Sequence, residues 1–247
     1  MVPETTHLLD RPVWSALNTN WATLAQGDAR AWRLDPDYGP FAATDGTAAG
    51  AEALWALLPA DRDTWLVEPH IPPLPPGMAH REAVLVQMVA TAPIEAPDAA
   101  GARQLVETDG AEMRALAVLT APGPFLAKTH RIGDFIGVHD GGRLMAMAGT
   151  RMRMPGFAEV SGVCTHPDAR GRGHAARLSR LVAARLQGQG LVPILHAYPG
   201  NSAVRMYAAL GFGVRQELRL VVLGSGPQMQ KAIPDDPEWP LQTRREA

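Results

Sequence analysis

The 247-residue sequence has little cysteine and little lysine, and each shortage excludes a class of protein. Its one cysteine, Cys164, cannot form an internal disulfide and cannot by itself build a cysteine-rich metal site. Nearly all of the 23 basic residues are arginine, and the formal net charge of -2 provides no basic field to attract nucleic acid or an anionic membrane. We therefore expect neither nucleic acid nor a membrane as a partner.

Long apolar runs are also missing. No stretch reaches the roughly 18 apolar residues of a membrane-spanning helix, and the first residues lack the basic start and apolar run of a secretion signal. These absences predict a cytoplasmic location. The remaining composition, with 46% hydrophobic and 19% charged residues, is that of a folded protein with one elaborated domain or two compact ones.

Composition changes along the chain. Five of the six tryptophans lie in the first 65 residues, and two stretches rich in Pro, Ala and Gly, 71–80 and 91–102, are typical of surface connections. We place a boundary near residue 102. The sequence then predicts an N-terminal α/β region over 1–102, a second domain over 103–226 and a Pro-rich, irregular tail over 227–247.

Hydrophobic spacing predicts the helices and strands of both parts. In the first part it indicates helices over 13–26, ended by Gly27, and over 49–58, with buried strands over 64–68 and 83–89. In the second part it predicts the order β-α-β-β-β-α-β-α-β. The strands are expected at 103–108, on both sides of a Gly141-Gly142 hairpin turn, and at 157–165, 192–198 and 214–223; the helices at 111–119, capped by Asp109, and at 172–187 and 201–210. The whole pattern indicates a mixed α/β fold of the α+β type.

The segment VCTHPDARGRGHA, which starts at Val163, joins the end of a strand to a glycine-rich turn and the start of a helix. The first turn of a helix leaves backbone N–H groups unpaired and carries positive potential. Gly171 and Gly173 would let a diphosphate lie against those groups. Three neighbouring side chains can add positive charge: Arg170, Arg172 and His174. The segment therefore predicts a phosphate site, with an ordinary loop as the alternative.

At these residues the chain resembles the GNAT superfamily of N-acetyltransferases, and within it the FR47-like group. The pyrophosphate signature of that family is Gln or Arg, two variable residues, Gly, one variable residue, and Gly or Ala. Six consecutive residues match it: Arg170, Gly171, Arg172, Gly173, His174 and Ala175. The resemblance spans roughly residues 103–224. It implies the GNAT acyl-CoA transferase fold with a central mixed sheet, preceded by a smaller or degenerate α/β half.

The resemblance also implies acetyl-CoA as co-substrate and no metal. The pyrophosphate would lie on the amides of residues 171–175, and the pantetheine arm would run beside three strand residues: Val163, Cys164 and Thr165. Asn201 would touch that arm or cap its own helix, or do both. Gly162 supports this interpretation, because a glycine inside a strand often marks a bulge or a close backbone approach. A bulge with a purely structural role is the alternative.

Attack of an amine on a thioester needs a proton acceptor, because a primary amine is protonated at neutral pH. Glu159 is the candidate base, acting directly or through a water, and a carboxylate on a partly solvated sheet face is the alternative. A backbone N–H near Val163 or Cys164 is the candidate for stabilising the oxyanion. Tyr207, in the Tyr-x-x-x-Gly-Phe context of the family, is the candidate acid, and a plain core tyrosine is the alternative.

We therefore predict an N-acetyltransferase that moves an acetyl group from acetyl-CoA to a primary amine by direct attack in a ternary complex. The acceptor is a small-molecule amine or a peptide amine, and a homodimer is an open alternative to a monomer. Two other functions are considered: a non-catalytic acyl-CoA-binding sensor or interaction module, and a nucleotide-binding dehydrogenase. A nucleotide-binding dehydrogenase would have an acidic residue about 20 positions after the glycines, and this sequence has none there. The histidines lack metal-site spacing, and Cys164 is interpreted as packing.

Overall fold

The computed structural model describes residues 7–59, 61–71, 74, 78 and 80–224. The helices found there are α1 Pro12–Leu17, α2 Ala48–Leu57, α3 Gly110–Thr120, α4 His174–Gly188 and α5 Ala203–Ala209. The strands are β1 Ala25–Asp28, β2 Ala31–Leu34, β3 Phe41–Thr44, β4 Thr64–Glu68, β5 His80–Ala90, β6 Ala102–Leu105, β7 Phe135–Asp140, β8 Arg143–Met154, β9 Phe157–Thr165, β10 Val192–Ala197 and β11 Phe212–Leu223. The predicted tail over 227–247 lies outside the described residues.

The chain divides into two compact units. The first unit contains the described residues up to Pro36, Pro40–Leu85 and the residues from Glu217 onward, and the second contains Asp37–Gly39 and Val86–Gln216. These bounds differ from a boundary near residue 102. The three-part domain assignment stays a prediction.

In the second unit the strand order is β5-β10-β9-β8-β7-β6. Strands β9 and β10 are parallel and the other neighbours are antiparallel, so the sheet is mixed. From β6 to β11 the elements follow the predicted order, which confirms the mixed α/β fold class. Both faces of this sheet are covered. Ala146 packs in a core with α4, whereas its neighbour Met147 packs in a core with α3, so these helices lie on opposite faces.

In the first unit the strand order is β1-β2-β3-β4-β11, to which β11 contributes its residues from Glu217 onward, while its residues up to Gln216 belong to the second unit. Strands β3 and β4 are parallel and are joined through α2, and the other pairs are antiparallel. Leu54 of α2 packs against Leu66 and Val221 in the core of this unit. The predicted helix over 49–58 and the strand over 64–68 are confirmed as α2 and β4.

The helix predicted over 13–26 is wrong beyond its first turns. It ends at Leu17, where the Asn18 amide donates to the Trp14 carbonyl and the Thr19 hydroxyl donates to the Ser15 carbonyl. These short polar side chains bond to local backbone and so favour a helix end. A short 3-10 helix, Ala22–Leu24, leads into β1, in which Gly27 is a strand residue with φ of 131° and does not end a helix. Strands β1 to β3, of four residues each, had no counterpart in the sequence prediction.

Smaller differences concern the start of the second part. The strand predicted over 103–108 is β6, which ends at Leu105. Asp109 does not cap α3 through its side chain, because its carboxylate accepts from the backbone N–H of Val106 and from Arg103. The hairpin between β7 and β8 is confirmed, with both of its glycines at positive φ. Among the helices of the described ranges, none has the length and apolar character that crossing a bilayer requires.

Candidate functional site

Strands β9 and β10 separate part of the way along their length. Their parallel pairing ends at Glu159 opposite Ile194. Both strands continue beyond this point, β9 paired with β8 as far as Thr165, and β10 paired with β5 as far as Ala197. The two facing edges beyond Glu159 and Ile194 therefore lack a strand partner within the described chain, and we call this opening the fork. An unpaired strand edge offers backbone hydrogen bonds to a ligand.

A bulge at Gly162 changes which side chains face the fork. Gly162 has φ of 61°, and a Cβ there would lie 2.7 Å from a ring carbon of Phe135. Val160 and Val163 both pack on the α4 side, whereas regular alternation would put them on opposite faces. Cys164 packs on the α3 side. The bulge is therefore present, and it places Glu159 on the face of Cys164 and not on the face of Val163.

The same register selects one of the two candidate N–H groups for an oxyanion. The His166 N–H donates to the Met145 carbonyl at 2.7 Å, and Cys164 lies opposite Met147. Because hydrogen-bonded pairs alternate in an antiparallel ladder, the Cys164 N–H points toward β8. The N–H groups of Val163 and Thr165 point toward the fork. The Val163 N–H is therefore the suitable donor, and that of Cys164 is not.

The glycine-rich turn lies at the start of α4. Gly171 and Gly173 both have φ of 76°, and an ideal Cβ on either would meet nothing within 4 Å. Gly173 is the N-cap residue, and no side chain caps the helix. Among the residues that the structure describes, none accepts a hydrogen bond from the N–H groups of Gly171, Arg172 or Gly173. The turn is therefore an open cradle of unsatisfied donors, as an anion site requires.

The side chains beside the cradle differ from the expectation in one respect. Arg170 and Arg172 are exposed, and Arg172 lies 3.9 Å from Asp140. Burial, followed by the charges of Arg177 and Arg172, lowers the pKa of His174 below its ordinary value. This shift favours the neutral imidazole and so weakens the positive charge expected from His174. Its backbone N–H lies at the helix start, as does that of Ala175.

The residues present fit a CoA molecule on two independent observations. One is the open cradle at Gly171 and Gly173, which a side chain would fill. The other is the hydroxyl of Thr165, which is buried and has no partner in the described part of the chain. A buried hydroxyl without a partner is costly, so a ligand group beside it would be stabilising. Both lie along the path expected for pyrophosphate and pantetheine.

Glu159 is 1% exposed, so its face of the sheet is not partly solvated, although protein partners satisfy the carboxylate as the structural alternative expects. Arg151 binds it with both Nε and Nη2, at 2.9 and 2.8 Å, and the Nδ1 atom of His196 lies 2.9 Å from Oε1. Burial alone raises the pKa of Glu159, but Arg151 and His196 more than offset it and hold that pKa well below its usual range. Glu159 is therefore a carboxylate at all ordinary pH values.

His196 is a residue of this site that the sequence did not indicate. From the sequence alone His196 is only a candidate metal ligand, and the spacing of the histidines argues against that role. It lies on β10 two residues beyond Ile194, where the fork opens, and contacts Glu159 on β9 and Gln87 on β5. Gln87 and Glu159 are far from His196 in sequence, so only the strand order brings these groups together.

Tyr207 lies on the other face of the sheet. It is 9% exposed, packs in the core on the α4 side and makes an edge contact with Phe212, with ring centroids 6.2 Å apart. Burial raises the pKa of Tyr207 to about 12. The tyrosine is therefore part of the core and keeps its proton at neutral pH, as an acid must.

Two other residues have clear local roles. The Oδ1 atom of Asn201 accepts from the Ala203 N–H at 2.8 Å, so Asn201 caps the start of α5. Cys164 is buried, and burial raises the pKa of its thiol to about 11. A thiol with so high a pKa is inert at neutral pH, which agrees with the interpretation of Cys164 as packing.

A narrow cleft lies against β9 on the α3 side of the sheet. Its walls are Pro122, Gly123, Pro124, Phe125, Thr129, Phe135, Arg151, Ser161 and Gly162. Phe125 and Phe135 meet edge to face, with centroids 5.7 Å apart. Since Glu159 alternates with Ala158 and Val160, which face α4, its side chain lies on the α3 side, as does this cleft.

One group of side chains has the spacing of metal ligands. Atoms of Asp109, Glu112 and His139 lie within 4.8 Å of one another. The guanidinium of Arg103 already binds both oxygens of Asp109 and lies 3.1 Å from the Nε2 atom of His139. A cation is thus already supplied by the chain, and the group gives no support to a metal site.

Comparison with known proteins adds independent findings. Residues 135–221 match the FR47-like protein family. The chain is similar to a crystal structure from Novosphingobium aromaticivorans DSM 12444 that carries the name of a GNAT-family acetyltransferase, with 47% identity, a TM-score of 0.83, and coverage of 89% of this chain and 99% of that chain. No match among curated proteins was found.

Two more distant structures share the fold. A GCN5-related N-acetyltransferase from Kribbella flavida is 19% identical, with a TM-score of 0.61 and coverage of 90% of this chain and 98% of that chain. A GCN5-related N-acetyltransferase-like protein from Streptococcus suis is 12% identical, with a TM-score of 0.56 and coverage of 90% and 94%. With 47% identity to the Novosphingobium protein over nearly the whole of both chains, the chain belongs to the GNAT family and is an acyltransferase.

Proposed function

We propose that this protein transfers an acetyl group from acetyl-CoA to a primary amine by direct attack in a ternary complex. The observation that carries the proposal is the fork between β9 and β10, which opens next to the uncapped start of α4. A fork supplies an unpaired backbone edge, and the helix start supplies donors for phosphates. Acetyl-CoA, when bound, would supply the acyl thioester.

The chain would hold this co-substrate at two places. The amides of residues 171–175 bind the pyrophosphate, with Arg170 and Arg172 adding charge. The open edge at Val163, Cys164 and Thr165 lies beside the pantetheine arm, and Asn201 caps the helix next to it. No metal has a part in this proposal.

Glu159 serves the amine. A primary amine with a pKa near 10.4 must lose a proton before it attacks, which costs about 4.6 kcal/mol at pH 7. Glu159 already binds Arg151 and His196 and is almost wholly buried, which favours a proton path through a water over direct contact. The negative charge of the carboxylate attracts the ammonium form of the acceptor.

Two further groups complete the chemistry. The Val163 N–H points into the fork and stabilises the oxyanion as the thioester carbonyl is attacked. Tyr207 gives its proton to the departing thiolate, whose parent thiol has a pKa of about 8.5. Glu159 and Tyr207 lie on opposite faces of the sheet, so the base and the acid approach the fork from opposite sides.

The acceptor is a small-molecule amine or a peptide amine that enters through the cleft at Phe125 and Phe135. This side of the sheet holds Glu159, so an amine in the cleft reaches the base before the acid. A cytoplasmic location belongs to this proposal and rests on the composition of the sequence. Monomer and homodimer are both compatible with it.

The test measures binding and turnover separately. Calorimetry with CoA, and release of free thiol from acetyl-CoA with a panel of alkylamines, amino acids and peptide N-termini, are expected to show binding and amine-dependent turnover. Tyr207→Phe should bind CoA within about twofold of the wild type but turn over about 100-fold more slowly. Binding without thiol release on every amine would instead establish the alternative, a non-catalytic acyl-CoA sensor.

A further inference from the structure

Gln87 has its side-chain amide fixed in one orientation. It is fully buried on β5, directly opposite His196 on β10. Its Oε1 atom accepts from the Nη1 of Arg215 at 3.1 Å and from the Nε2 of Gln216 at 3.2 Å. With two donors on the oxygen, the amide must present its NH2 group to His196, where Nε2 of Gln87 lies 3.1 Å from Nε2 of the imidazole.

This orientation determines where His196 carries its proton. Because the Gln87 NH2 group can only donate, the imidazole Nε2 must accept, and the ring proton must be on Nδ1. Nδ1 lies 2.9 Å from Oε1 of Glu159, and a carboxylate can only accept. The hydrogen bonds therefore run in one direction, from Gln87 to His196 and from His196 to Glu159. Both ends of the chain of bonds require the same tautomer.

The surroundings of His196 restrict how its two ring nitrogens can form hydrogen bonds. Arg151 on β8 already binds Glu159 through two bonds, and Arg215 on β11 lies behind Gln87. A protonated ring would carry a second N–H at Nε2, which would face the NH2 group of Gln87, donor against donor. With a side chain that is 5% exposed, the ring has little water to accept that proton.

We propose that His196 and Gln87 are positioning residues for Glu159, with His196 donating through Nδ1 and Gln87 fixing that tautomer. The inference rests on the proposed function and deepens it, since it assigns how the carboxylate is held at the fork. Glu159 is bound from β8 by Arg151 and from β10 by His196, so donors from both sides fix its plane where β9 and β10 separate. His196 does not itself take the proton of the amine.

Two substitutions at His196 distinguish a role as hydrogen-bond donor to Glu159 from a role as the general base. Asparagine can place its side-chain NH2 close to the position of Nδ1 and donate to Glu159, whereas leucine fills similar space without a donor. We expect His196→Asn to keep kcat within about tenfold of the wild type and His196→Leu to lose about 100-fold, the range for a group that orients a functional residue. The KM for acetyl-CoA should change little in either variant.

A substitution at Gln87 reverses the hydrogen bond. In Gln87→Glu an acceptor would face Nε2 of His196, so a proton on that nitrogen becomes favourable. A doubly protonated His196 carries a positive charge next to Glu159, which makes the carboxylate a weaker proton acceptor. The kcat should therefore fall on the acid side of the pH profile. Gln104→Glu, an exposed position on β6, introduces the same charge and should leave the profile unchanged.

Nitrogen-15 NMR of the full-length protein reads the tautomer without any turnover. We expect the wild-type ring to carry its proton on Nδ1 with Nε2 unprotonated, and a proton on Nε2 to appear in Gln87→Glu. A wild-type ring protonated on Nε2, or on both nitrogens at pH 7, would overturn the inference. So would equal losses of kcat in His196→Asn and His196→Leu, which would make His196 the base. Absence of thiol release in the wild type would instead overturn the proposed function, while the NMR result still decides the tautomer.

Discussion

Each unit contains a β-α-β crossover, and the two crossovers begin their helices in opposite ways. In the first unit α2 joins the parallel strands β3 and β4, and in the second α4 joins β9 and β10. Both parallel pairings stop early, at Ala42 opposite Leu66 and at Glu159 opposite Ile194. The two units therefore share a supersecondary arrangement in which a fork opens beside the start of a helix.

The start of α2 is closed by its own side chains. The Thr47 hydroxyl oxygen accepts from the Gly50 N–H at 3.0 Å, and the Asp45 carboxylate accepts from the N–H and hydroxyl of Thr47 at 2.9 and 2.7 Å. These bonds from Thr47 hold the pKa of Asp45 below its usual range. A capped helix start with a negative charge beside it repels phosphate, whereas the uncapped glycines before α4 attract it.

The open strand edges of the two crossovers differ in the same way as their helix starts: one is occupied by the chain itself and the other, among the described residues, is not. The Nη2 atom of Arg11 donates to the Thr44 carbonyl at 2.6 Å, and Arg11 also binds both oxygens of Glu68. A guanidinium thus takes a backbone acceptor beyond the end of β3–β4 pairing, on the edge where a ligand would pair. Beside β9 the corresponding edge keeps the Val163 and Thr165 donors. The comparison shows that the same strand and helix arrangement can have its donors and acceptors occupied from within or left open, and our proposal depends on the open case.

The two buried carboxylates respond to burial differently. Burial raises the pKa of Glu68 despite the opposing effect of Arg11. At Glu159 burial also raises the pKa, but Arg151 together with His196 outweighs it, so the pKa is lowered. One arginine is therefore not enough to overcome burial at Glu68, and Glu159 has the added donor, His196.

The largest expected effect comes from filling the open helix start. Gly173→Val should reduce CoA affinity by at least about 100-fold, because each charge-assisted hydrogen bond lost to phosphate is worth about 1.5–3 kcal/mol. Gly190→Val is the matched control, since Gly190 lies beyond the other end of α4, has φ of 75°, and has an equally open Cβ position. Calorimetry with CoA measures both. Equal affinities in the two variants would remove the distinction between the two crossovers.

The next effect separates the two carboxylates. Glu159→Gln leaves Arg151 buried beside a neutral group and should lower the free energy of unfolding by about 3 kcal/mol. Glu68→Gln should cost less, because the wild-type charge is already disfavoured by burial. Urea unfolding at pH 7 compares them. The comparison fails if Glu68→Gln is the more destabilising variant.

The pH dependence of the same two carboxylates should have opposite signs. The lowered pKa of Glu159 contributes stability above its ordinary value of 4.5, and this is lost as the pH falls below that value. The raised pKa of Glu68 costs stability above 4.5, and the cost disappears on acidification. From pH 6 to pH 4 the deficit of Glu159→Gln relative to the wild type should therefore shrink. The deficit of Glu68→Gln should grow.

Much of the second unit could be predicted because its signals are local. The alternation of apolar residues gave the order from β6 to β11, and the glycines at 171 and 173 marked the open turn from their spacing alone. Gly162 indicated the bulge, since a strand interior rarely contains glycine. These features depend on residues close together in the chain.

What could not be predicted depends on contacts between distant residues. Nothing near Glu159 indicates that Arg151 and His196 lower its pKa, because His196 reaches it only through the strand order. Strands β1 to β3 are too short for alternation to be recognised, and the polar residues after Leu17 end α1 earlier than apolar spacing suggested. Side chains that pair across a sheet are invisible to a periodic pattern.

A smaller effect tests the capped start of α2. Thr47→Ala removes the hydroxyl that accepts from the Gly50 N–H and should lower the free energy of unfolding by about 1 kcal/mol. CoA affinity should stay the same, because in our interpretation this helix start binds its own side chains and no ligand. Thermal unfolding and calorimetry measure the two quantities. A gain of CoA binding at a second site would show that the cap alone kept phosphate away.

The smallest effect concerns the other ends of the helices. The residue after α2, Leu58, has an ordinary extended backbone, whereas Ala121 after α3 is left-handed with φ of 47° and ψ of 54°. Within the described residues it is the one residue other than glycine with positive φ. A β-carbon in that conformation costs about 1–2 kcal/mol. Glycine removes this cost but loses more backbone entropy on folding, which cancels part of the gain. Ala121→Gly should therefore stabilise the fold by about 0.5–1 kcal/mol.

The control for this substitution is Ala115→Gly, an exposed position inside α3, where the same change should destabilise the helix by about 1 kcal/mol. Opposite signs in urea unfolding would show that strain at the helix end, and not helix propensity, governs position 121. Pro122, the next residue, lines the cleft. Turnover with the preferred amine therefore shows whether the left-handed turn at Ala121 also shapes the path of the acceptor. If it does, Ala121→Gly will raise the KM for the amine while leaving CoA affinity unchanged. If both variants instead destabilise the fold, glycine does not relieve strain at position 121, and neighbouring residues hold the left-handed turn.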